Sequence, residues 1–213
     1  DERMNSIATI RNILKILLFI SILVQTTTAQ NNKIDSLTSL LQTATHDTTR
    51  AAALVALTDE LFASNPDTVI PLCNKAIALI EKNINKADEQ EKRAYLVTKA
   101  NALNNIGYIF NRKGQIKEAI NYYSRSLKIS EKIGDKHGIA MSFNSIGFIY
   151  DSQGQIKEAM DYYDRSLKIK EEIGNKQGIA NSLINIGYIY MNQGQIKEAL
   201  EYYGRSLKIY EET

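Results

Sequence analysis

The sequence predicts an all-α chain folded as a solenoid of antiparallel helix pairs, and three observations carry that prediction. The motif GQIKEA stands at 114–119, 154–159 and 194–199, each copy 40 residues after the last. Around each copy apolar residues recur at steps of three and four, the period of a helix with a buried face. The chain has only two Pro and no Trp, in a composition that otherwise favours helix. Self-similarity at a fixed period marks units that cannot bury their apolar surface alone and so must stack.

Each unit opens on a helix A. In the first complete copy Leu103, Ile106, Gly107 and Phe110 share one face, and the pattern returns as Ile146, Gly147, Tyr150 and as Ile186, Gly187, Tyr190. After the Gly114-Gln115 break, Ile116, Ala119, Ile120, Tyr123 and Leu127 form the stripe of a helix B. Tyr122, Ile129 and Ile133 give that helix a second apolar face, which suits a helix wedged between its own helix A and the next. Tyr123, Tyr163 and Tyr203 are therefore expected in the core. A mid-helix Gly costs roughly 1 kcal/mol relative to Ala. Its recurrence at 107, 147 and 187 predicts a close backbone approach, with Ala119, Ala159 and Ala199 opposite. Gly134-Asp135 and Gly174-Asn175 read as helix ends followed by new starts.

A large aliphatic, a small residue and an aromatic on helix A, then Ala and an aromatic four residues later on helix B, is similar to the tetratricopeptide pattern. The resemblance covers three units from about residue 95 to 213. It departs from the family at Ser126, Ser166 and Ser206, where Ala is favoured, and at Glu131, Glu171 and Glu211, where a Pro usually closes the unit. Without that Pro, helix B is expected to run to about Ile133, as in the longer 40-residue variety. The resemblance implies a right-handed superhelical solenoid; because the residues assemble no catalytic roles, no catalysis and no cofactor are expected, with an enzyme as the remote alternative. It also implies an inner face, built mostly by helix A, on which a protein or peptide partner lies.

The matching positions are Asn101, Asn104, Tyr108, Asn111 and Arg112 in the first unit. They continue as Met141, Asn144, Phe148, Asp151 and Ser152, then as Asn181, Ile184, Tyr188, Met191 and Asn192. Tyr108, Phe148 and Tyr188 form a column of aromatics, flanked by amides able to hydrogen-bond a peptide backbone. Two readings of that column stand: a groove surface, or packing between neighbouring A helices. The Lys/Asn clamp by which chaperone-tail binders of the family hold a terminal carboxylate is not matched, since Asn and aromatics occupy those places.

Before the repeats, residues 1–29 read as a secretory signal, proper from Met4: Arg11 and Lys15 are basic, 16–24 is almost wholly apolar, and Thr27-Thr28-Ala29 offers a cleavage site. The apolar run falls short of the ~20 residues that a spanning helix needs. Residues 30–47, with Ile34, Leu37, Leu40, Leu41 and Ala44 on one face, are expected to form a capping helix. A degenerate unit and charged linker follow at 48–94. Its helix A covers about 48–62, Asn65-Pro66-Asp67 signals the start of helix B, and Pro71 requires that helix to begin near Thr68 or to kink. The surplus over the period falls at 83–93, as a helix extension or a loop. At the far end Leu207, Ile209 and Tyr210 are expected to have no later helix to pack on, so the array reads as truncated and inclined to self-associate there.

No catalytic constellation is visible. His46 and His137 stand far apart without Cys or carboxylate at ligand spacing, which argues against a metal site. GDKHGIA and GNKQGIA lack the spacing and the preceding strand of a phosphate loop. The one cysteine, Cys73, falls at an apolar position and is expected as a buried thiol. The formal net charge of +2 gives no general attraction to nucleic acid or an anionic membrane. Together, the signal, the degenerate first unit and the near-identical repeats resemble the extracytoplasmic input regions of bacterial sensor proteins. That resemblance implies an exported interaction module with a signalling role; a free-standing periplasmic or secreted scaffold is the alternative.

Overall fold

The computed structural model describes residues 30–212, so the expected signal segment lies outside the described residues. Helix α1 occupies 30–43 of these. It is followed by α2 (Asp47–Leu61), a short 3-10 turn (Pro66–Thr68), α3 (Val69–Asn83), α4 (Glu89–Arg112) and α5 (Ile116–Ile133). Then come α6 (Lys136–Ser152), α7 (Ile156–Glu172), α8 (Lys176–Asn192) and α9 (Ile196–Glu211). Each helix from α2 onward packs on its neighbours in sequence, and the A-type helices also touch, α2 on α4 and α4 on α6. The result is the expected all-α stack of helix pairs. α5 ends at Ile133, as the missing Pro predicts.

The glycine of GQIKEA is set by conformation. Gly114, Gly154 and Gly194 have φ of 72°, 72° and 75°, while a Cβ at any of them would meet nothing. The left-handed turn, which Gly reaches without strain, lets the Gln115, Gln155 and Gln195 amides donate back to the carbonyls of Phe110, Tyr150 and Tyr190, each at 2.9 Å. Gly134 and Gly174 close the B helices in the same way.

The mid-helix glycines work differently, and the expectation about them is corrected. A Cβ on Gly107 would stand 2.7 Å from the Tyr123 ring, and Cβ atoms on Gly147 and Gly187 would stand 3.0 and 2.8 Å from Tyr163 and Tyr203. The object facing each glycine is thus the tyrosine ring of its own unit, rather than a backbone opposite Ala119. Tyr123 and Tyr163 are buried as expected, and Tyr203 is half-buried. Between units, Ile146 and Ile149 of α6 pack on Ala119 and Tyr123 of α5, and Ile186 and Ile189 of α8 repeat the contact on Ala159 and Tyr163 of α7. The serines that replace the family's Ala have a role of their own. Ser126, Ser166 and Ser206 donate to the carbonyls of Ala100, Ala140 and Ala180 at 2.8, 2.8 and 3.0 Å, pinning B to A inside the core.

In the first pair, α3 begins at Val69 with Pro71 in its first turn, where no amide is owed an intrahelical partner. The surplus at 83–93 divides between a turn and helix. α4 starts in a capping box, Asp88 accepting from the Glu91 amide at 2.8 Å. It runs 24 residues against 17 for α6 and α8. α1 lies on this pair: Leu41 packs into its core, the Gln30 amide donates to the Glu60 carbonyl, and Lys33 pairs with Glu60.

Candidate functional site

The A helices place the expected column at the surface. Tyr108, Phe148 and Tyr188 are 41, 51 and 48% exposed, whereas Ile109, Ile149 and Ile189, one residue on, are buried. The helical period explains the contrast, because Gly and Ile at 106–107 and 109 face helix B while residue 108 points away. The column ends differently at its two sides. Toward α2, Phe62 meets Tyr108 edge-on at a centroid distance of 4.8 Å. Arg112 stacks on Tyr108 at 5.9 Å and donates to the Phe62 carbonyl at 2.8 Å. The repeat spacing could have found Phe62: with Thr58 in the place of the mid-helix glycine, it falls in register with Asn111, Asp151 and Met191 of the later units.

The other expected positions around the column fall into three groups. Asn101, Asn111 and Met141 are half-buried at its edge, and Asn181, Ile184, Met191 and Asn192 are exposed, as is Ser152. Asn144 accepts from Asn185 at 3.2 Å, which ties α6 to α8 across the face. Asn181 accepts from the Tyr210 hydroxyl at 2.7 Å. Asn104 does not belong to an open surface. It is 8% exposed, and its side-chain oxygen is sealed from solvent without a hydrogen-bond partner among the described residues. The physical reason is local: α2 packs directly on α4 here, and the neighbouring Asn105 donates to Thr58 and Asp59 across that seam, both at 2.8 Å.

Electrostatically the face is nearly neutral. Among the described residues named for this face, Arg112 is the one cation, and Asp151 is a half-buried carboxylate whose pKa burial raises above the ordinary value. The strongest cationic pattern lies elsewhere, on the B helices. There Arg125, Arg165 and Arg205 stack over Tyr122, Tyr162 and Tyr202 at 5.1 to 5.4 Å. Those tyrosines lie against Phe110, Tyr150 and Tyr190 at 5.2 to 5.4 Å. All three arginines are exposed, and each rests its guanidinium on the ring of its own unit. Cys73 is fully buried, and burial pushes its thiol up to about 12, which leaves it unreactive at neutral pH. Among the described residues no group of three or more His, Cys, Asp or Glu is placed to hold a metal ion, and no helix is long and apolar enough to cross a membrane.

Comparison with known proteins fits this architecture. Two models of the tetratricopeptide repeat match the sequence, at residues 98–172 and 180–212, together just over half of the chain. The chain belongs to the tetratricopeptide repeat family. No curated protein matches the sequence. Among solved structures, the chain is similar to aspartyl phosphate phosphatase F from Bacillus subtilis at 15% identity and a TM-score of 0.66, over 81% of this chain and 43% of that one. It is similar to a Rap protein complexed with Competence and Sporulation Factor at 18% identity and a TM-score of 0.65, over 87% and 51%. BtubC from P. vanneervenii aligns at 17% identity and a TM-score of 0.63, over 87% and 72%. At such identities the likeness shows the fold alone, and the chain spans about half the length of the first two. Family membership makes this chain a repeat scaffold for protein interaction and points away from catalysis.

Proposed function

We propose that the A-helix face binds a peptide segment of a partner protein, with Tyr108, Phe148 and Tyr188 as its anchors. The observation that carries the reading is their exposure at intervals of one repeat on successive A helices. Large rings left half in water gain apolar contact when a partner covers them, and such anchors tend to carry most of an interface's energy. Half-buried amides beside the rings supply donors and acceptors for an extended backbone, and the nearly neutral face favours a segment without dense charge. The complex of a similarly folded Rap protein with Competence and Sporulation Factor supports reading the fold as one that takes a partner.

The biological setting we propose is an exported one, with the repeats as the extracytoplasmic input of a signalling protein. The basic, apolar and small-residue succession in 4–29 supports export. A reporter active only outside the cytoplasm, fused after residue 29, should gain activity; silence would remove export from the reading.

The face itself is tested by replacing Tyr108, Phe148 and Tyr188 with Ser together. Helical content and melting should hardly change, because exposed rings contribute little to the core. Recovery of partners from an exported-protein extract should fall at least about tenfold, the loss of roughly 1.4 kcal/mol. Equal recovery would remove the face from the account. A variant that fails to fold would show that the rings serve the helix stack.

A further inference from the structure

The B helices carry the same cations in every repeat and differ in what stands between them. On α5 Lys117, Arg125 and Lys128 share one exposed face with Asn121 and Ser124. The same places on α7 hold Lys157, Arg165 and Lys168 with Asp161 and Asp164, and on α9 Lys197, Arg205 and Lys208 with Glu201 and Gly204. Glu118 and Glu131 flank the α5 stripe, but both recur in the later units and leave the difference unchanged. The arginines are also held differently. The Arg165 guanidinium lies 4.0 Å from the centroid of the Phe143 ring and pairs with Asp161 at 3.6 Å. In the second pair Leu103 replaces that phenylalanine, and Lys99 stands where the third pair has Ile139. There a cleft of about 230 Å³ stays open, lined by Lys99, Leu103, Arg125, Lys128 and Ile129. Lys99 pairs with Glu81 at 2.7 Å. Arg125 rests on the Tyr122 ring, and among the described residues no carboxylate pairs with it, with Lys117 or with Lys128.

We infer that the outer face of α5 binds an acidic segment of a partner protein. Charge complementarity names the occupant. Cations with no anion between them attract carboxylates, and a guanidinium laid on a ring keeps its N–H edge for the two parallel bonds that a carboxylate accepts. Lys117 and Lys128 are separated by roughly 16 Å of helix, a span that about five residues of an extended chain cover. The apolar floor of the cleft, Leu103 and Ile129, suits an aliphatic side chain beside the acids. This surface is separate from the A-helix face and does not depend on it.

The probe is a labelled peptide in which aspartate alternates with serine around a central leucine, titrated with the full chain at low salt, where screening is weakest. Binding should be saturable and should fall as salt rises. Asn121→Asp with Ser124→Asp gives α5 the acids that α7 carries in a folded repeat, and should weaken binding at least about tenfold. Asn31→Asp with Asn32→Asp changes the net charge equally, at exposed positions of α1, and should leave binding within about twofold. The triple Ser variant of the A-helix face should bind the peptide as well as the unaltered chain. The inference is overturned by absence of saturable binding, or by undiminished binding of a peptide with asparagine in place of aspartate. Equal loss in the two acidic variants would overturn it too, assigning the attraction to net charge. So would a labelled oligothymidylate that binds more tightly than the peptide and is lost in the α5 variant, since the stripe would then read a phosphate backbone. Loss of the peptide in the triple Ser variant would move it to the A-helix face.

Discussion

In the first helix pair Thr58 stands where the later pairs have their mid-helix glycine, and Cys73 stands where they have their buried tyrosine; in the second pair the two places hold Gly107 and Tyr123. Both arrangements are sealed, with Thr58 and Cys73 fully buried and Tyr123 2% exposed. The comparison shows that the two positions are sized against each other. A ring on helix B lies where a Cβ on helix A would be, and so demands glycine. A thiol leaves room for a β-branched side chain. The room is used for polar bonding: the Thr58 hydroxyl donates to the Val55 carbonyl at 2.6 Å and accepts from Asn105 of the next unit at 2.8 Å. Hydrogen bonds from Asn105 thus reinforce the apolar packing of α2 on α4, whereas the seams from α5 to α6 and from α7 to α8 centre on a buried tyrosine ring.

The largest effect that would break this comparison is Tyr163→Ala. A fully buried ring at the centre of a two-unit cluster should cost about 3 to 5 kcal/mol, because the cavity cannot collapse against helices fixed on both sides. Cys73→Ala removes a single atom and should cost roughly 1 kcal/mol. Urea denaturation of the two variants beside the unaltered chain measures both. Comparable losses would mean that the first pair leans on its core as heavily as the repeats do.

The repeats made the stack and its helix pairs legible because the same apolar spacings recur around an unvarying turn. They could not show what faces the mid-helix glycine. Periodicity assigns Ala119 and Tyr123 to one stripe of helix B, and only the depth of the ring decides which of them arrives at Gly107. At the candidate site, spacing found the aromatic column but left open whether it faces water or packs between A helices, and it placed Asn104 beside it, since a period marks a face and is blind to α2 pressing on one end of that face. The undecided stretch at 83–93 did carry a signal in Asp88 and Glu91, a capping box preceding a helix, within a charged run that suited a loop equally well. Ser130, Lys170 and Tyr210 occupy one repeat position with three chemistries, so no pattern predicts that Lys170 is buried.

That lysine gives an effect of intermediate size. Lys170 is 7% exposed in the seam between α7 and α8, donates to the Ser182 hydroxyl at 2.8 Å, and burial lowers its pKa to about 8. The folded value lies below that of the free side chain, so the unfolded chain binds the proton more tightly. The penalty is complete below about pH 8 and is relieved as pH rises toward the free amine's range. Burial raises the pKa of Cys73, Tyr123 and Tyr163, so above about pH 9, where a free thiol and then free tyrosines ionise, these groups oppose the gain. Stability should therefore climb from about pH 8 and level off above about pH 9. Lys170→Met keeps the stem and deletes the charge. It should raise stability at neutral pH by about 2 kcal/mol and flatten the climb, as read from urea midpoints across that range. A variant that keeps the climb would assign it to another group.

The smallest effect tests the sizing rule itself. Gly107→Ala sets two opposed terms against each other. Alanine gains roughly 1 kcal/mol of helix propensity, while its Cβ, 2.7 Å from the Tyr123 ring, forces a shift of a side chain that is fully enclosed. Overpacking of that kind costs about 1 to 3 kcal/mol, so the net result should be a loss of about 1 kcal/mol. With the ring removed in Tyr123→Cys, which recreates the thiol of the first pair, only the propensity term remains. Adding Gly107→Ala to that background should then stabilise, and the coupling between the two sites should exceed about 1 kcal/mol, as expected for residues in contact. Urea denaturation of the four proteins in the cycle decides the matter. Should alanine cost the same with and without the ring, the glycine would answer to something other than Tyr123, and the exchange of Thr58 and Cys73 for Gly107 and Tyr123 would be two independent substitutions.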